Sequence, residues 1–236
     1  MRSRPCTQEG RRKGIKDLAY HEGRKTNRAL RYRLGRRTDE ALSAISRHVS
    51  GSASRLPDVG TADGVMLTRL RQALNCSLCV GIDASFELLS ACDDKRLHLI
   101  QADALDLPFH DGAFDLIVAT AIIEHVANPG QMLRECHRVL RSGGLAIITS
   151  PDPFWEKVAT AIGHLKEDEH QETLDLVRIK GLLSSTGFDI LEARKFMVSP
   201  VGFPFEKRLE RVIRRFRFIA LLLNQLVVAV KPHRGQ

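Results

Sequence analysis

Arg-Leu-Pro-Asp-Val-Gly-Thr-Ala-Asp-Gly, residues 55–64, is the stretch of this sequence that decides the fold. Its small residues Gly60, Ala62 and Gly64 are followed by apolar residues at helical spacing up to position 74. This pattern predicts a strand that runs through a tight turn into a helix. Small side chains let the backbone turn sharply and approach a ligand closely, although the same pattern also occurs in ordinary strand-to-helix turns. The stretch alone therefore leaves ligand binding open.

Strands and helices alternate along the rest of the sequence. Further strands are predicted at 79–83, 97–102, 114–119, 145–149, 188–196 and 223–231, with helices between most of them. Ser142-Gly-Gly144 is predicted to end a helix, and residues 151–173 are predicted to be irregular and polar. The alternation indicates a parallel sheet covered by helices on both faces, with ligands at the carboxyl ends of its strands.

The charge of the chain is unevenly distributed. The net charge is +8, and the sequence divides into a basic segment at 1–37, an acidic centre at 38–205 and a basic segment at 206–236. We therefore predict a basic N-terminal arm at 1–37 and one domain at 38–236, whose first helix is capped by Thr38. Such basic flanks could bind phosphates, anionic lipid or an acidic partner, or could be solvated helix faces.

The cysteines favour a reducing compartment. They are five in number, which is odd, and no secretory signal precedes them, so we expect a cytoplasmic protein without disulfides. Cys76 and Cys79 have redox or zinc spacing, but no second Cys or His pair accompanies them, which favours a structural role and no metal. The longest apolar run, 218–230, is interrupted and falls short of the roughly 20 residues that a spanning helix needs.

An acid follows the second predicted strand. Asp83 lies about 20 residues beyond the glycine turn, where a carboxylate in a βαβ unit can accept hydrogen bonds from both ribose hydroxyls of a nucleotide. Asp83 could also cap the helix that begins at Ser85, which is compatible with ribose binding.

Six segments together resemble class I S-adenosylmethionine-dependent methyltransferases, particularly those that act on small molecules. The match is strong over about 55–150 and continues to Lys231, and it implies a Rossmann-like, seven-stranded sheet, mostly parallel with a reversed last strand. The segments are Asp58-Val-Gly-Thr-Ala-Asp-Gly64, Gly81-Ile-Asp83, Gln101-Ala-Asp-Ala-Leu-Asp-Leu-Pro-Phe109, Phe114-Asp-Leu-Ile-Val-Ala119, Glu124-His-Val126 and Arg138-Val-Leu-Arg-Ser-Gly-Gly-Leu-Ala-Ile-Ile148.

The resemblance implies S-adenosyl-L-methionine as cofactor and gives several residues a role. Asp58 would hold the cofactor's ammonium group, Asp83 its ribose hydroxyls and Asp103 its adenine amino group, and Thr120 would lie near the methionine moiety. The remaining cofactor contacts implied are Gly60, Thr61, Ala62, Gly64, Ala84 and Ala104.

Three residues are candidates for the chemistry of methyl transfer. Glu124 and His125 match the family's acid and His after the fourth strand, either beside the transfer site or in the core. His170, in the run Glu167-Asp-Glu-His170, is a candidate by residue type, although a solvated loop is the simpler interpretation. Two positions depart from the family: Ala62 replaces a glycine, and Pro57 removes an N–H from a central strand.

Residues 204–222 form a basic amphipathic segment that predicts a helix inserted before the last strand. Such a helix either packs on its own domain as a lid or lies on an anionic membrane surface. The leading functional hypothesis is a cytoplasmic methyltransferase, either free or peripheral to a membrane, that acts on a small-molecule or lipid-linked acceptor. The alternatives are an RNA methyltransferase that uses the basic flanks, for which aromatic content of 6% is low, and a non-catalytic binding protein.

Overall fold

The computed structural model describes residues 21–23, 26–49, 55–161 and 174–233 of the 236. The strands are β1 Arg55–Val59, β2 Leu78–Asp83, β3 His98–Gln101, β4 Phe114–Thr120, β5 Leu140–Pro151, β6 Asp189–Phe196 and β7 Asn224–Val230. The helices are α1 Arg28–His48, α2 Val65–Leu74, α3 Phe86–Ser90, α4 Pro129–Val139, α5 Pro153–Ala161, α6 Leu176–Ser185 and α7 Glu206–Arg215, with a short 3-10 helix at Ile219–Leu221.

The seven strands form one sheet in the order β3-β2-β1-β4-β5-β7-β6. All neighbours pair in parallel except β7, which is antiparallel to both β5 and β6. The predicted Rossmann-like α/β sheet with a reversed last strand is therefore confirmed. The strand order changes direction between β1 and β4, and such a switch point opens a crevice at the carboxyl ends of the strands.

Helices cover the sheet on both faces. On one face α1 and α2 bury apolar side chains such as Ala44 and Leu67 against the strands. On the other face α4 and α6 do the same with side chains such as Leu133 and Leu183. Both faces of β4 and β7 are buried, and these strands accordingly contain continuous apolar runs rather than alternating patterns.

Pro57 is accommodated where the sheet is only half paired. β1 pairs with β2 along its whole length, but with β4 only from Asp58 onward. At the start of β1, the Arg55 N–H donates to the Asp115 carboxylate at 3.0 Å rather than to a backbone carbonyl. The ladder with β4 thus begins one residue after Pro57, so the missing N–H costs the sheet little.

Helix α1 begins eleven residues earlier than predicted. Asn27, not Thr38, is the N-cap of α1, and its side chain accepts from the N–H groups of Ala29 and Leu30. Thr38 is buried inside the helix, where its hydroxyl donates to the Leu34 carbonyl at 2.8 Å. The predicted boundary at 37/38 therefore falls within one continuous helix, and residues 28–37 belong structurally to the domain.

Two predicted irregular segments have regular structure. The Ser142-Gly-Gly144 segment lies within β5, which starts directly after α4 at Leu140, and Gly143 takes a positive φ of 75° there. Residues 153–161, predicted to be irregular, form α5. The rest of that segment, including Glu167, Asp168, Glu169 and His170, lies outside the described residues.

The basic amphipathic segment forms a shorter helix than predicted, because α7 ends at Arg215. Its buried residues are Glu206, Glu210 and Ile213, so acids rather than apolar side chains make up most of its inner face. Glu206 accepts from the Tyr32 hydroxyl, and Glu210 accepts from Arg36 Nη2 at 2.7 Å. α7 is therefore fixed to α1 through its two carboxylates.

Two groups on α1 respond electrostatically to these contacts. Burial and the Glu206 carboxylate raise the pKa of the Tyr32 phenol above its ordinary value of 10.0, which keeps the phenol a donor. Burial alone would raise the pKa of Glu40, but Arg194 and Arg36 outweigh it and hold that pKa below its ordinary value. Among the described residues, no helix combines the length and apolar character needed to cross a bilayer.

Candidate functional site

The turn after β1 is a tight loop held against β2. The N–H groups of Gly60 and Thr61 both donate to the Ile82 carbonyl, at 2.8 and 3.0 Å. Gly60, Ala62 and Gly64 all have positive φ, of 78°, 53° and 72°. A Cβ on Gly60 would lie 2.9 Å from the Ile122 Cβ, so only glycine fits there. The predicted strand, turn and helix are confirmed, and Ala62 holds a left-handed conformation that ordinarily favours glycine.

Asp58 lies at the end of β1 beneath this loop. The carboxylate is buried, and its Oδ2 accepts from the Thr61 hydroxyl at 2.9 Å. Thr61 is buried as well. The hydroxyl therefore fixes the orientation of a carboxylate at the point where the crevice opens.

Asp83 ends β2 and bonds to two loops at once. Its Oδ2 accepts from the Ala62 N–H and its Oδ1 from the Ser85 N–H, both at 2.9 Å. These two bonds fix the orientation of the carboxylate, whose oxygens can accept about four hydrogen bonds in all. Ser85, not Asp83, is the N-cap of α3, and Ala84 between them is exposed.

Asp103 follows β3 at the same edge of the sheet. Its Oδ1 accepts from the Leu105 N–H at 2.9 Å, and its side chain is exposed. The neighbouring Ala102 N–H donates to the Asp83 carbonyl at 3.1 Å, which ties the Asp103 loop to the end of β2. Ala104 is half-buried beside it.

Thr120, Glu124 and His125 lie at or just after the end of β4. The Thr120 hydroxyl donates to Met66 Sδ at 3.1 Å, which links β4 to α2. Glu124 is buried, His125 is partly buried, and Glu124 Oε1 and His125 Nε2 are 3.9 Å apart. The structure thus gathers every predicted site residue at the carboxyl edge except His170, which lies outside the described residues.

Residues 21–23 contribute a contact that the sequence pattern did not indicate. His21 Nδ1 and Asp63 Oδ2 are 2.7 Å apart, and both side chains are buried. Asp63 belongs to the tight loop, so the N-terminal segment packs directly on that loop. The two residues are 42 positions apart, and no local spacing signal could have paired them.

No group of three or more His, Cys, Asp or Glu side chains is arranged to hold a metal ion within the part of the chain that the structure describes. The four cysteines found there, Cys76, Cys79, Cys92 and Cys136, are free thiols.

Residues 57–148, which contain this edge of the sheet, match a family model described as a methyltransferase domain. Residues 57–148 form a methyltransferase domain, and the sheet has the fold of class I S-adenosylmethionine-dependent methyltransferases. Over 93% of its length, the protein also superposes with a TM-score of 0.69 and 20% identity on a whole chain from the complex between the Haloferax volcanii Trm112 methyltransferase activator and a proposed methyltransferase. At this identity, the likeness shows that the two proteins share a fold.

Two curated relatives each match less than half of this chain. A tRNA (carboxymethyluridine(34)-5-O)-methyltransferase of Xenopus tropicalis is 36% identical over 40% of this chain and 15% of its own length. A malonyl-[acyl-carrier protein] O-methyltransferase of Coxiella burnetii is 32% identical over 41% of this chain and 33% of its own length. The matched region thus spans a third or less of each of these relatives.

The residues at this edge of the sheet are chemically suited to bind S-adenosyl-L-methionine. Gly60 and Gly64 let the loop pack closely on its neighbours, because a Cβ on Gly64 would lie 2.9 Å from Cys92 Sγ. Gly81 lets the loop pack equally closely on β2, since a Cβ on Gly81 would lie 2.8 Å from Thr61 Cγ2. Buried Asp58 suits an ammonium group and Asp83 suits a pair of hydroxyls, so the donor set agrees with the cofactor's chemistry.

Proposed function

We propose that the protein transfers a methyl group from S-adenosyl-L-methionine to a small-molecule or lipid-linked acceptor. The observation that carries the proposal is the joint arrangement of Asp58, Asp83 and the Gly60–Gly64 loop at the switch point of the sheet. This point of the sheet combines a buried carboxylate, a second carboxylate that accepts from two N–H groups, and a loop that allows close approach of a ligand. Neither a structural turn nor a helix cap requires this combination.

Each residue has one role in this proposal. Asp58 binds the ammonium group of the cofactor, and Thr61 keeps that carboxylate oriented. Asp83 accepts from both ribose hydroxyls, with Ala84 beside it. Asp103 accepts from the adenine amino group, with Ala104 contributing a backbone contact, and Thr120 lines the methionine side.

The cofactor supplies a methyl group on a sulfonium, whose leaving group is already activated. The protein's part is therefore largely to hold the acceptor in line with that methyl and to exclude water. An acceptor that must lose a proton needs a base, and His125, whose ring nitrogen is 3.9 Å from the Glu124 carboxylate, is the candidate within the described residues.

The two relatives differ in their methyl acceptors, since one is named for a tRNA and the other for malonyl-[acyl-carrier protein]. A small or lipid-linked acceptor is favoured by the apolar surface of α5 and α7, which borders the same edge of the sheet. Phe154 on α5 is exposed, and the adjacent Trp155 Nε1 donates to the Ala220 carbonyl at 2.8 Å.

Calorimetric titration with S-adenosylmethionine and S-adenosylhomocysteine tests the cofactor site. We expect micromolar binding that is lost in Asp83→Ala and retained in Asp106→Ala, because Asp106 is an exposed acid in the neighbouring loop. Equal affinity of the wild type and Asp83→Ala would remove the ribose role. Absence of binding by folded wild-type protein would contradict the proposal as a whole.

A further inference from the structure

The outer surface of α7 and the 3-10 helix is unusually apolar. We call residues 205–221 the α7 surface. Its large exposed apolar side chains are Phe205, Leu209, Val212, Phe216, Phe218, Ile219 and Leu221. Phe216 and Phe218 are 65% and 63% exposed, more than would be expected for aromatic side chains that pack on their own domain. These residues form a contiguous stretch rather than single exposed side chains, which marks an interaction site.

The inward orientation of the acids explains why this apolar surface faces out. Between positions 199 and 223 the chain has two acidic residues, Glu206 and Glu210, and both are buried against α1. Glu206 also accepts from the N–H groups of Val198 and Ser199, at 2.7 and 3.1 Å. Since these contacts fix the rotation of α7, the opposite side of the helix must face outward.

The charged side chains on the α7 surface are all basic. Lys207, Arg208, Arg211, Arg215 and Arg217 are exposed, and no acid is exposed among them. The Arg208 guanidinium lies 5.2 Å from the centroid of the Phe205 ring, so cations and apolar groups are interleaved. A surface of this composition requires a partner that is negatively charged and also offers an apolar interior.

We infer that the α7 surface docks on a lipid bilayer that contains anionic phospholipids. Exposed Phe, Val, Ile and Leu side chains enter the boundary between headgroups and acyl chains, while Lys and Arg pair with the phosphates above it. A nucleic acid offers phosphates and stacking for the phenylalanines, but no apolar phase for Val212, Ile219 and Leu221. The composition therefore favours lipid over RNA.

The α7 surface also lies at the edge of the sheet where the cofactor loop is. β5 and β6 are both antiparallel to β7 and hence parallel to each other, so α7 follows the carboxyl end of β6. The Trp155 indole N–H, on the helix after β5, bonds to the Ala220 carbonyl. Docking through this surface would bring the carboxyl edge close to the membrane.

An arginine-lined groove lies next to the α7 surface. It has a volume of about 550 Å³ and is bounded by α1, Arg69 and residues 201–204, which lead directly into α7. Arg28, Arg31 and Arg36 line it from α1, and Asp39 lines it as well. Arg36 is paired with Glu40 and Glu210, so Arg28 and Arg31 supply most of the positive charge of the groove. A groove of this charge suits lipid phosphates, and it adjoins the apolar side chains through Phe203 and Pro204.

Sedimentation of the full chain with vesicles tests the inference. We expect binding to vesicles of equal parts phosphatidylcholine and phosphatidylglycerol, weak binding to phosphatidylcholine alone, and weaker binding as salt rises. The double substitution Phe216→Ser and Phe218→Ser is expected to lower the partition coefficient at least roughly tenfold. Arg211→Gln with Arg215→Gln is expected to lower it roughly thirtyfold.

Helices α6 and α3 provide matched controls, since α6 packs on the other face of the sheet and α3 follows β2, at the opposite end of the strand order from β6. Val177→Ser with Phe86→Ser removes two side chains of comparable exposure, 77% and 65%, and Arg178→Gln with Lys180→Gln removes two exposed cations. Both control variants should bind vesicles like the wild type. All four variants alter exposed side chains and should keep the wild-type melting temperature.

Three outcomes would overturn the inference. The first is equal binding of the α7 variants and the control variants, and the second is equal binding to neutral and anionic vesicles. The third is absence of vesicle binding together with tight, salt-sensitive binding of a single-stranded RNA oligonucleotide. Vesicle binding is measured without cofactor, so its result is independent of the methyl-transfer proposal.

Discussion

Replacing Glu210 with Gln should destabilise the protein strongly. The Glu210 side chain is 1% exposed, and its Oε2 accepts from Arg36 Nη2 at 2.7 Å and from the Met197 N–H at 3.2 Å. Its Oε1 bonds to Arg214. The Arg36 side chain is only 5% exposed, so the substitution leaves a buried guanidinium without one of its two carboxylates.

Breaking a buried ion pair by removing one partner costs about 3–5 kcal/mol. Arg36 keeps its second carboxylate, Glu40, at 2.8 Å, and the Gln amide oxygen still accepts one hydrogen bond. We therefore expect a loss at the low end, about 2–3 kcal/mol of unfolding free energy. For a chain of this size, that corresponds to a fall in melting temperature of roughly 4–12 °C.

Urea unfolding and thermal melts of the wild type, Glu210→Gln and Glu87→Gln measure the effect. Glu87 is an exposed acid on α3, so Glu87→Gln matches the charge change without breaking a buried pair and should change stability by less than about 0.5 kcal/mol. A double-mutant cycle with Arg36→Met should give a coupling of about 0.5–3 kcal/mol, because the double variant leaves no buried guanidinium behind. Equal stabilities of Glu210→Gln and Glu87→Gln would refute the reasoning.

Three further substitutions have expected outcomes. Ala62→Gly should raise the unfolding free energy by about 0.5 kcal/mol in urea titrations, because relief of the left-handed backbone outweighs the entropy that glycine adds to the unfolded chain. Gly81→Ala should lower it by about 1–3 kcal/mol and weaken binding of S-adenosylhomocysteine, because the new Cβ would lie 2.6 Å from Leu99 Cδ2. Burial would raise the pKa of Glu192, but His48, Arg194 and Arg47 outweigh it and lower the pKa from 4.5 to about 2. The difference in unfolding free energy between the wild type and Glu192→Gln should thus be constant above pH 5 and shrink as the pH falls from about 4.5 towards 2. Urea titrations of both proteins at several pH values would measure it.

The sequence predicted the sheet well, because its signals are local or periodic. The Gly60–Gly64 turn and Asp83 could be placed at one edge, since parallel strands put their carboxyl ends together. Pro57 is unusual in a central strand, and the structure explains its presence, because the pairing of β1 with β4 starts only at Asp58. Nothing in the sequence shows how far a neighbouring strand extends, so this feature required the structure.

The start of α1 was predicted wrongly for a different reason. Thr38 followed by acids is a strong capping signal, but the hydroxyl bonds within the helix once tertiary contacts extend that helix to Arg28. The contacts that hold the extension, from Tyr32 to Glu206 and from Arg36 to Glu210, join residues 174 positions apart. The same long-range bonds turn the acids of α7 inward. The helical pattern of the sequence alone would place these acids on the solvent side.

The seam between α1 and α7 has a consequence for how the chain folds as it is synthesised. The ribosome releases Tyr32 and Arg36 early, but their carboxylate partners emerge only after almost the whole domain has been made. Closing so long a loop is entropically expensive, so this seam forms late. Until then the apolar side of α1, with Ala41, Ala44 and Ile45, has only part of its final contacts. We therefore expect α1 to stay partly accessible to chaperones until residues 206–210 have been made.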